Sequence, residues 1–413
     1  MQRIIVLADD FTGATDIGGA FADTGRAVRL HLTNARQAAS VESPAEGSPP
    51  VEIFAMKIRS CPAQEALAAV NACLDAIGYD RSNDQVYYKY CSTFDSTSEG
   101  NIGPVLDALL ARTGAHSSLV VPAFPDNART QYLGYLYVGE ELLAESPMAT
   151  HPINPMRDSS VLRLLAAQSE SVVRLVPWSE VRGPNLHERL TGNPERPELL
   201  VADALDNQDL SVLAHSIQTH RLVSGGSGLA QNYPVIGPPA RLDMGPLASN
   251  GRVIIVGSQS SATQRQLVSL QRMQGLLVLE LDLDANRDDE EIRIDRWLGE
   301  NLRPGRMLLV KRPDARFDDV PGHPQRIEQL LGKAAESAYR HGVREFIVAG
   351  GETAGAVTHA LDARQLRIGA EIAPGVPWCR VALGNGDEVS MALKSGNFGT
   401  ESFFSEAWEV LDK

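Results

Sequence analysis

Two adjacent aspartates, Asp9 and Asp10, follow the first strongly apolar stretch of the chain, and Thr12 comes shortly after them. An aspartate or a threonine at such a position can cap the helix that follows. One carboxylate suffices for a cap, so the pair predicts that the second one contacts a ligand. Ligands of open parallel sheets bind beyond the carboxyl ends of the strands, where both aspartates are predicted to lie.

Further polar residues crowd later loops of the first half of the chain. These loops are "KIRSCP" (57–62), "YKYCSTFDSTSEGNIG" (88–103), "PAFPDNART" (122–130) and "HPINPMRDSS" (151–160). Carboxylates and amides hold sugar hydroxyls, and arginine or lysine pairs with an acid group, so the set suits a small polyhydroxylated anion. Residues of the same types also favour caps and surface turns, and that interpretation stays open.

The second half of the chain carries three glycine-rich segments, each of which follows an apolar stretch. They are "VGSQSSATQRQL" (256–267), "VAGGETAGAV" (348–357) and "LKSGNFG" (393–399). Each would aim backbone N–H groups and small hydroxyls at an anion, and the first two would add a helix dipole. One such turn is weak evidence, whereas three in one half predict a phosphate site.

Several common enzyme signatures are absent from the sequence. It contains no GxxxxGK[ST] motif and no GxGxxG after a strand, and "GGSGLA" (225–230) is interpreted as a structural turn. It contains no GxSxG elbow and no HExxH helix, so serine hydrolases and zinc enzymes are excluded. The four cysteines form no CxxC pair, which predicts reduced thiols rather than a metal cluster or disulfides.

The elements that must position these loops alternate between strand and helix. Apolar strand-like runs occur at residues 3–8, 51–56, 85–90, 118–123 and 198–203, and again at 252–258, 306–312 and 345–351. Amphipathic stretches such as residues 63–78 and 101–113 separate them. Continuous apolar strands separated by helices predict an α/β fold, with two domains that each contain a mostly parallel sheet flanked by helices.

Length and composition bound the domain organisation and the partners. A chain of 413 residues predicts two domains, assigned to residues 1–230 and 252–413, with a proline-rich linker at 231–251 and a surface loop at 39–50. The net charge of −14 argues against nucleic acid as a partner. The lack of an 18-residue apolar run and of a signal-like N-terminus predicts a cytoplasmic protein without membrane contact. A homodimer is expected because it is the commonest assembly.

Eight stretches in order along the chain resemble one known family, the four-carbon acid sugar kinases. They are "ADDFTGATDIG", "KYCSTFDSTSEGNIGPV", "VPAFPDNART", "HPINPMRDSS", "VGSQSSATQRQ", "VAGGETAGAV", "PGVPWCR" and "LKSGNFG". Within that family the sequence is most similar to the 3-oxo-tetronate 4-kinases, because the second and fourth stretches favour that branch. The resemblance implies an acid-sugar-binding N-terminal domain, a nucleotide-binding C-terminal domain and an active site in the cleft between them. It also implies ATP with Mg²⁺ as donor and the C4 hydroxyl as acceptor, which gives the 4-phosphate.

The needs of phosphoryl transfer suggest roles for individual residues, although the family pattern does not assign the roles of the aspartates. Asp10 is expected to orient the sugar and accept the C4 proton, Asp9 to hold a hydroxyl or a water of Mg²⁺, and Asp95 competes for the role of base. The expected substrate-binding residues are Thr12, Arg59, Lys89, Ser92, Asn127 and Arg157, with Arg59 and Lys89 on the carboxylate. The expected nucleotide-binding residues are Ser258, Ser260, Gly350, Gly351, Glu352, Thr353, Lys394 and Gly396.

Three other functions remain open at this point. The first is a kinase that acts on plain threonate or erythronate. The second is an NAD(P)-dependent acid-sugar dehydrogenase, which the missing GxGxxG fingerprint disfavours. The third is a non-catalytic acid-sugar sensor, which the paired aspartates and the segment around Lys394 disfavour.

Overall fold

A computed structural model describes residues 2–32, 51–151, 154–273, 275–313, 320 and 322–413 of the chain. The described chain divides into two compact units, Met1–Ala240 and Arg241–Lys413. The predicted linker at 231–251 spans the point of division, and the predicted surface loop at 39–50 lies outside the described residues. None of the helices in the described ranges combines the length and the apolar content needed to cross a lipid bilayer.

The first unit is built on a parallel sheet. Its strands are β1 (Arg3–Ala8), β2 (Val28–Leu32), β3 (Val51–Ala55), β4 (Asp84–Lys89), β5 (Ser117–Val121), β9 (Val172–Val176), β10 (Glu198–Ala202) and β11 (Leu222–Gly225). They are ordered β2-β3-β1-β4-β11-β5-β10-β9, and all neighbouring strands in this order are parallel. A separate antiparallel sheet contains β6 (Arg129–Tyr132), β7 (Tyr135–Val138) and β8 (Glu141–Leu142).

Helices connect the strands of this first unit. They are α1 (Phe11–Asp23), α2 (Ala63–Ala76), α3 (Ile102–Thr113), α4 (Val161–Gln168), α5 (Trp178–Val181), α6 (Leu186–Leu190), α7 (Asn207–Ser216) and α8 (Ser227–Gln231). Short 3₁₀ segments lie at Pro125–Asn127, Leu143–Glu145 and Pro147–Thr150. The central strands are buried on both faces, as expected for a parallel sheet covered by helices.

The second unit repeats the α/β arrangement with an antiparallel extension. Its strands are β12 (Arg252–Val256), β13 (Leu277–Glu280), β14 (Met307–Lys311), β15 (Glu345–Ala349), β16 (Ala363–Ala373), β17 (Val376–Leu383) and β18 (Glu388–Lys394). Its helices are α9 (Ser261–Leu270), α10 (Arg287–Asn301), α11 (His323–Arg340), α12 (Gly351–Ala360) and α13 (Phe403–Leu411). The order β13-β14-β12-β15-β18 is parallel, and β17 and β16 continue the sheet antiparallel.

The predicted α/β fold class is confirmed, and each predicted apolar run overlaps a strand. The antiparallel β16–β18 arrangement was not predicted, although its turns carry clear signals. Pro374 and Gly375, with φ +78° at the glycine, connect β16 to β17, and Gly386, with φ +88°, lies in the next turn. The phosphate-type segments therefore follow strands β12, β15 and β18, which are neighbours in one parallel set.

Candidate functional site

Only one of the two aspartates that follow β1 caps the next helix. Asp10 is the N-cap of α1: the Gly13 N–H donates to its Oδ1 at 2.7 Å, and the Thr12 hydroxyl donates to its Oδ2 at 2.8 Å. The capping interpretation therefore applies to Asp10. Asp9 lies one residue earlier with 2% of its surface exposed. Its carboxylate takes no part in that cap and has a different partner.

The partner of Asp9 is Arg59, which follows β3. The Arg59 Nε and Nη2 donate to Asp9 Oδ2 and Oδ1 at 2.7 and 2.8 Å. Nη2 also lies 3.0 Å from Asp10 Oδ1, and Nη1 lies 3.5 Å from Asp95 Oδ2. The structure thus brings the three predicted catalytic carboxylates together around one guanidinium. This engagement with three protein carboxylates favours a positioning role for Arg59 over the predicted contact with a substrate carboxylate.

The two adjacent carboxylates differ in their acidity. Burial raises the pKa of Asp9, and the charge and hydrogen bonds of Arg59 offset only part of that effect. Burial also acts to raise the pKa of Asp10, but the positive charges of Arg59 and Lys89, with the donors Thr12 and Gly13, outweigh it and leave that pKa below its ordinary value. Asp10 is therefore ionised at neutral pH and able to orient a hydroxyl.

Lys89, at the end of β4, lies beside the same carboxylates. It is 2% exposed, and its Nζ donates to the Tyr90 carbonyl at 3.0 Å and lies 3.8 Å from Asp16 Oδ2. A Cβ added to Gly13 would lie 3.1 Å from this Nζ and 2.4 Å from Asp10 Oδ1. Glycine at position 13 therefore permits the close approach of lysine and aspartate at the start of α1.

Asp95 is held in an unusual backbone conformation. Phe94 and Asp95 have φ of +60° and +45°, a left-handed conformation that residues with side chains adopt at a cost and that concentrates at functional sites. The Asn154 Nδ2 donates to the carbonyl and to Oδ1 of Asp95 at 3.0 and 3.1 Å, and His151 Nδ1 lies 3.8 Å from Oδ1. The segment "HPINPMRDSS" thus reaches the site through His151 and Asn154, which were absent from the predicted set.

Another positioning residue, Asn101, was also missed. Its Nδ2 donates to the carbonyls of Ile58 and Cys61 at 2.7 and 2.9 Å, which fixes the turn that carries Arg59. The sequence suggests a cap because Asn101 directly precedes α3, but its side chain makes no capping hydrogen bond. The feature that reveals the positioning role is the burial of the Asn101 side chain, and that burial is visible only in the tertiary structure.

The remaining predicted sugar-site residues are dispersed. Ser92 is buried in the loop after β4, next to Cys91. Asn127 is half-buried at the end of a 3₁₀ turn, and its carbonyl accepts a hydrogen bond from Arg129. Arg157 is exposed and, within the described part of the chain, makes no hydrogen bond or ion pair with the carboxylate cluster. Arg157 is therefore the least supported of the predicted substrate contacts.

In the second unit the three glycine-rich segments meet at the carboxyl ends of β12, β15 and β18. The N–H of Ser258 donates to the Ala349 carbonyl at 3.1 Å, and the N–H of Gly350 donates to the Lys394 carbonyl at 2.9 Å. The hydroxyls of Ser260 and Thr263 both donate to the Gly396 carbonyl. The three segments therefore form one cluster.

Glycine is needed at several points of this cluster because neighbouring atoms approach closely. An added Cβ would lie 2.0 Å from Thr353 Oγ1 at Gly257, 3.1 Å from the Ser258 nitrogen at Gly350, and 2.6 Å from the Ser258 Oγ at Gly396. Gly350, with φ +120°, is also the N-cap of α12. Backbone N–H groups and small hydroxyls gathered at two helix starts form a surface suited to an anion.

The other predicted nucleotide residues lie at the starts of the same two helices. Ser260 caps α9, since its hydroxyl accepts from the Thr263 N–H at 3.2 Å. Gly351 and Glu352 are half-buried in the first turn of α12, and Thr353 is 4% exposed. The structure therefore brings these predicted positions together around the two helix starts.

Lys394 is completely buried within this cluster. Its Nζ contacts Thr263 Oγ1 at 3.1 Å and donates to the carbonyls of Ser395 and Gly396 at 2.9 and 3.0 Å. Burial lowers the pKa of Lys394 to about 7. The ammonium thus ties the turn after β18 to α9.

Comparison with known proteins covers nearly the whole chain. Residues 4–233 match the model of a sugar-binding N-terminal domain, and residues 253–404 match the model of a nucleotide-binding C-terminal domain. The chain is 36% identical to the 3-oxo-tetronate kinase of Brucella melitensis, over 100% of this chain and 96% of that protein. It is 38% identical to the 3-oxo-tetronate kinase of Cupriavidus necator, over 98% of this chain and 96% of that one.

Two solved structures share the fold at comparable identity. A crystal structure from Salmonella typhimurium LT2 matches with a TM-score of 0.82 and 34% identity, over 98% of this chain and 99% of that chain. A crystal structure of a Haemophilus influenzae protein matches with a TM-score of 0.74 and 32% identity, over 98% of this chain and 100% of that chain. The similarity therefore extends over both units.

Proposed function

Since the chain belongs to the four-carbon acid sugar kinase family, with 3-oxo-tetronate kinases among its relatives, we propose that it transfers the γ-phosphoryl group of ATP to the C4 hydroxyl of 3-oxo-tetronate. The chain is a phosphotransferase with an alcohol acceptor, and its phosphoryl donor is ATP. One observation carries the choice of chemistry. A carboxylate cluster on the first unit accompanies a glycine-rich anion surface on the second, in a chain that matches these kinases from end to end.

The carboxylate cluster supplies what the acceptor hydroxyl needs. Phosphoryl transfer depends on positioning and charge neutralisation more than on covalent chemistry by the protein. Asp10, ionised and 14% exposed at its side chain, is the proposed group that orients the C4 hydroxyl and accepts its proton. Arg59 holds Asp9, Asp10 and Asp95 together, which leaves Asp9 a structural role in place of a direct sugar contact.

The second unit supplies what the triphosphate needs. We assign the phosphates to the surface formed by Ser258, Ser260, Gly350, Thr353 and Gly396, where backbone N–H groups and hydroxyls converge. Lys394 stabilises that surface through its hydrogen bonds to the Thr263 hydroxyl and the Gly396 carbonyl.

Mg²⁺ is proposed to accompany ATP. Among the described residues no cluster of three or more histidine, cysteine, aspartate or glutamate side chains is arranged to hold a metal ion. Both oxygens of Asp9 already accept from Arg59, so this carboxylate is poorly suited to the metal. Mg²⁺ keeps several waters and commonly binds through substrate phosphates, so the ATP phosphates and water would supply most of its ligands.

A coupled ADP-release assay tests the proposed substrate. The purified protein receives ATP, Mg²⁺ and, in parallel, 3-oxo-tetronate, threonate or erythronate. We expect kcat/KM to be highest with the oxo acid. A preference for threonate or erythronate would instead assign the activity to the reduced acids.

A parallel absorbance assay tests the competing redox function. The same acids are incubated with NAD⁺ or NADP⁺ in place of ATP. Reduction of the nicotinamide without any ADP release would contradict the kinase proposal.

A further inference from the structure

Two buried donors without an acceptor lie at the start of β6 and just before it. Arg129 Nε and Asn127 Nδ2 are each buried, and neither has a hydrogen-bond partner within the described part of the chain. The Arg129 Nη1 donates to the Asn127 carbonyl, so the two residues are joined through that bond. A buried donor without a partner costs free energy comparable to a lost hydrogen bond, and a ligand that accepts from both atoms would remove that cost.

Arg129 also differs from the other cations of the first unit's site. Arg59 is engaged by Asp9, Asp10 and Asp95, and Lys89 lies 3.8 Å from Asp16. Arg129 makes no ion pair with a carboxylate of the described residues. Because a guanidinium keeps its charge at physiological pH, a half-buried one without a carboxylate is a receptor for an anion.

Arg129 lies at the same edge of the parallel sheet as the carboxylate cluster. It follows β5, and because β5, β11, β4 and β1 are parallel neighbours, the segments after these strands lie at one edge of the sheet. Burial lowers the pKa of Arg129, and the negative charge of Asp16 opposes that effect. Cys91 follows β4, and Asp16 lies in α1 and accepts from Ser227 at 2.6 Å. Arg129 therefore faces the same end of the sheet as Lys89 and Asp10.

The backbone holds Arg129 rigidly. Its N–H donates to the Phe124 carbonyl at 3.0 Å, and the Phe124 N–H donates back to the Arg129 carbonyl at 2.8 Å. Ala128, between the two donor residues, has φ +57° and closes this tight turn. A fork of donors fixed in advance binds a planar carboxylate with less loss of entropy than a mobile side chain does.

We propose that Arg129, assisted by the Asn127 amide, binds the carboxylate of the four-carbon acid and thereby selects acids over uncharged sugars. The inference rests on the proposed function and deepens it. The contact with the substrate carboxylate, predicted for Arg59, is thereby reassigned to Arg129. Arg129 has no carboxylate partner among the described residues. The oriented carboxylate would direct the opposite end of the substrate, the C4 hydroxyl, away from Arg129.

The test compares an acid with its uncharged counterpart. Erythrulose has a hydroxymethyl group where 3-oxo-tetronate has the carboxylate. For Arg129→Met we expect kcat/KM for the acid to fall at least about thirtyfold, the loss typical of truncating one partner of a buried charge pair. The value for erythrulose and the KM for ATP should change less than about threefold, so the preference for the acid collapses. If erythrulose turns over too slowly, its inhibition constant against the acid replaces kcat/KM.

Matched variants separate this role from folding. Arg189→Met removes an exposed arginine of the same unit and should leave both substrates unaffected. Arg129→Lys keeps the charge but loses the fork, and should retain part of the preference for the acid; it replaces Arg129→Met if that variant does not fold. Asn127→Ala should lower kcat/KM for the acid more than kcat/KM for erythrulose.

The outcomes distinguish the two proposals. An equal loss on acid and ketose, or a rise confined to the KM for ATP, would overturn the role of Arg129 while leaving the kinase assignment in place. Absence of ADP release from the wild-type protein with every four-carbon acid would contradict the proposed function and the carboxylate subsite with it.

Discussion

Arg59 donates two hydrogen bonds to the carboxylate of Asp9, from Nε to Oδ2 at 2.7 Å and from Nη2 to Oδ1 at 2.8 Å. Asp9 is only 2% exposed. The backbone reinforces the pair, since the N–H groups of Ile58 and Arg59 both donate to the Asp9 carbonyl. The turn after β3 is thus fastened to the end of β1 through main chain and side chain. A guanidinium held in this way fixes the positions of Asp10 and Asp95 before any ligand arrives.

Asp9→Asn should destabilise the protein. Loss of one partner from a buried ion pair leaves the other charge poorly compensated, and we expect a loss of about 3 kcal/mol, the lower end for such pairs, because Asp10 and Asp95 still contact Arg59. Thermal denaturation followed by circular dichroism measures the change. Asp75→Asn removes a carboxylate from the exposed pair with Arg112 and should leave the melting temperature nearly unchanged. Equal shifts for the two variants would contradict the structural role of Asp9.

Asp10→Asn should abolish most of the catalytic activity while the protein still folds. Asparagine caps helices about as well as aspartate, so α1 should keep its N-cap, while the negative charge that accepts the C4 proton is lost. We expect kcat to fall about 10²–10⁴-fold, as is typical when a general base is removed. The melting temperature should fall less than for Asp9→Asn, because Asp10 makes a single contact with Arg59 where Asp9 makes two. Asp206→Asn alters the N-cap aspartate of α7 and should have near-normal turnover. Near-normal kcat for Asp10→Asn would exclude Asp10 as the base.

The sequence predicted the elements of the site better than its contacts. Asp9 and Asp10 were placed correctly at the end of a buried strand, because an apolar run followed by a capping residue is a local pattern. Which of the two forms the cap, and that Arg59 engages the other, depends on the pairing of β1 with β3, two strands 43 residues apart. A local sequence pattern does not predict which distant strand pairs with β1. Asn101 and Asn154 were missed for the same reason, since each acts on a residue more than 40 positions away.

The three glycine-rich segments of the second unit show that a repeated local pattern can predict a cluster in the tertiary structure. Glycine and serine after three separate strands predicted one phosphate surface, and the parallel neighbours β12, β15 and β18 bring those segments into contact. The burial of Lys394 was not predicted, because a lysine beside Ser395 and Gly396 is typical of a solvent-facing phosphate ligand. Its Nζ contacts Thr263 of α9 and lies over the ring of Phe403, contacts that depend on the tertiary structure.

Gly396→Ala should raise the KM for ATP without changing the KM for the acid. The new methyl group would lie 2.6 Å from Ser258 Oγ and 3.1 Å from Ser260 Oγ, so both hydroxyls must move from the positions proposed to face the phosphates. We expect the KM for ATP to rise about tenfold or more, the effect of roughly one lost hydrogen bond, while the KM for the acid is unchanged. Gly245→Ala, at a position with no atom within 4 Å, is the matched control. A change confined to the KM of the acid would reverse the assignment of the two units.

Lys394→Met should alter how stability depends on pH. Burial lowers the pKa of Lys394 from its ordinary 10.5 to about 7, so between these values the unfolded chain binds a proton that the folded chain does not. The free energy of unfolding contributed by this group therefore rises as pH increases from 7 towards 10, and it falls to its minimum as pH decreases to about 7. Urea unfolding at pH 7, 8 and 9 should show a smaller increase with pH for Lys394→Met than for the wild type or for Lys311→Met, which alters a lysine paired with Glu280. Parallel pH profiles for all three proteins would show that Lys394 is protonated throughout this range and that its contacts with the Ser395 and Gly396 carbonyls stabilise the charge.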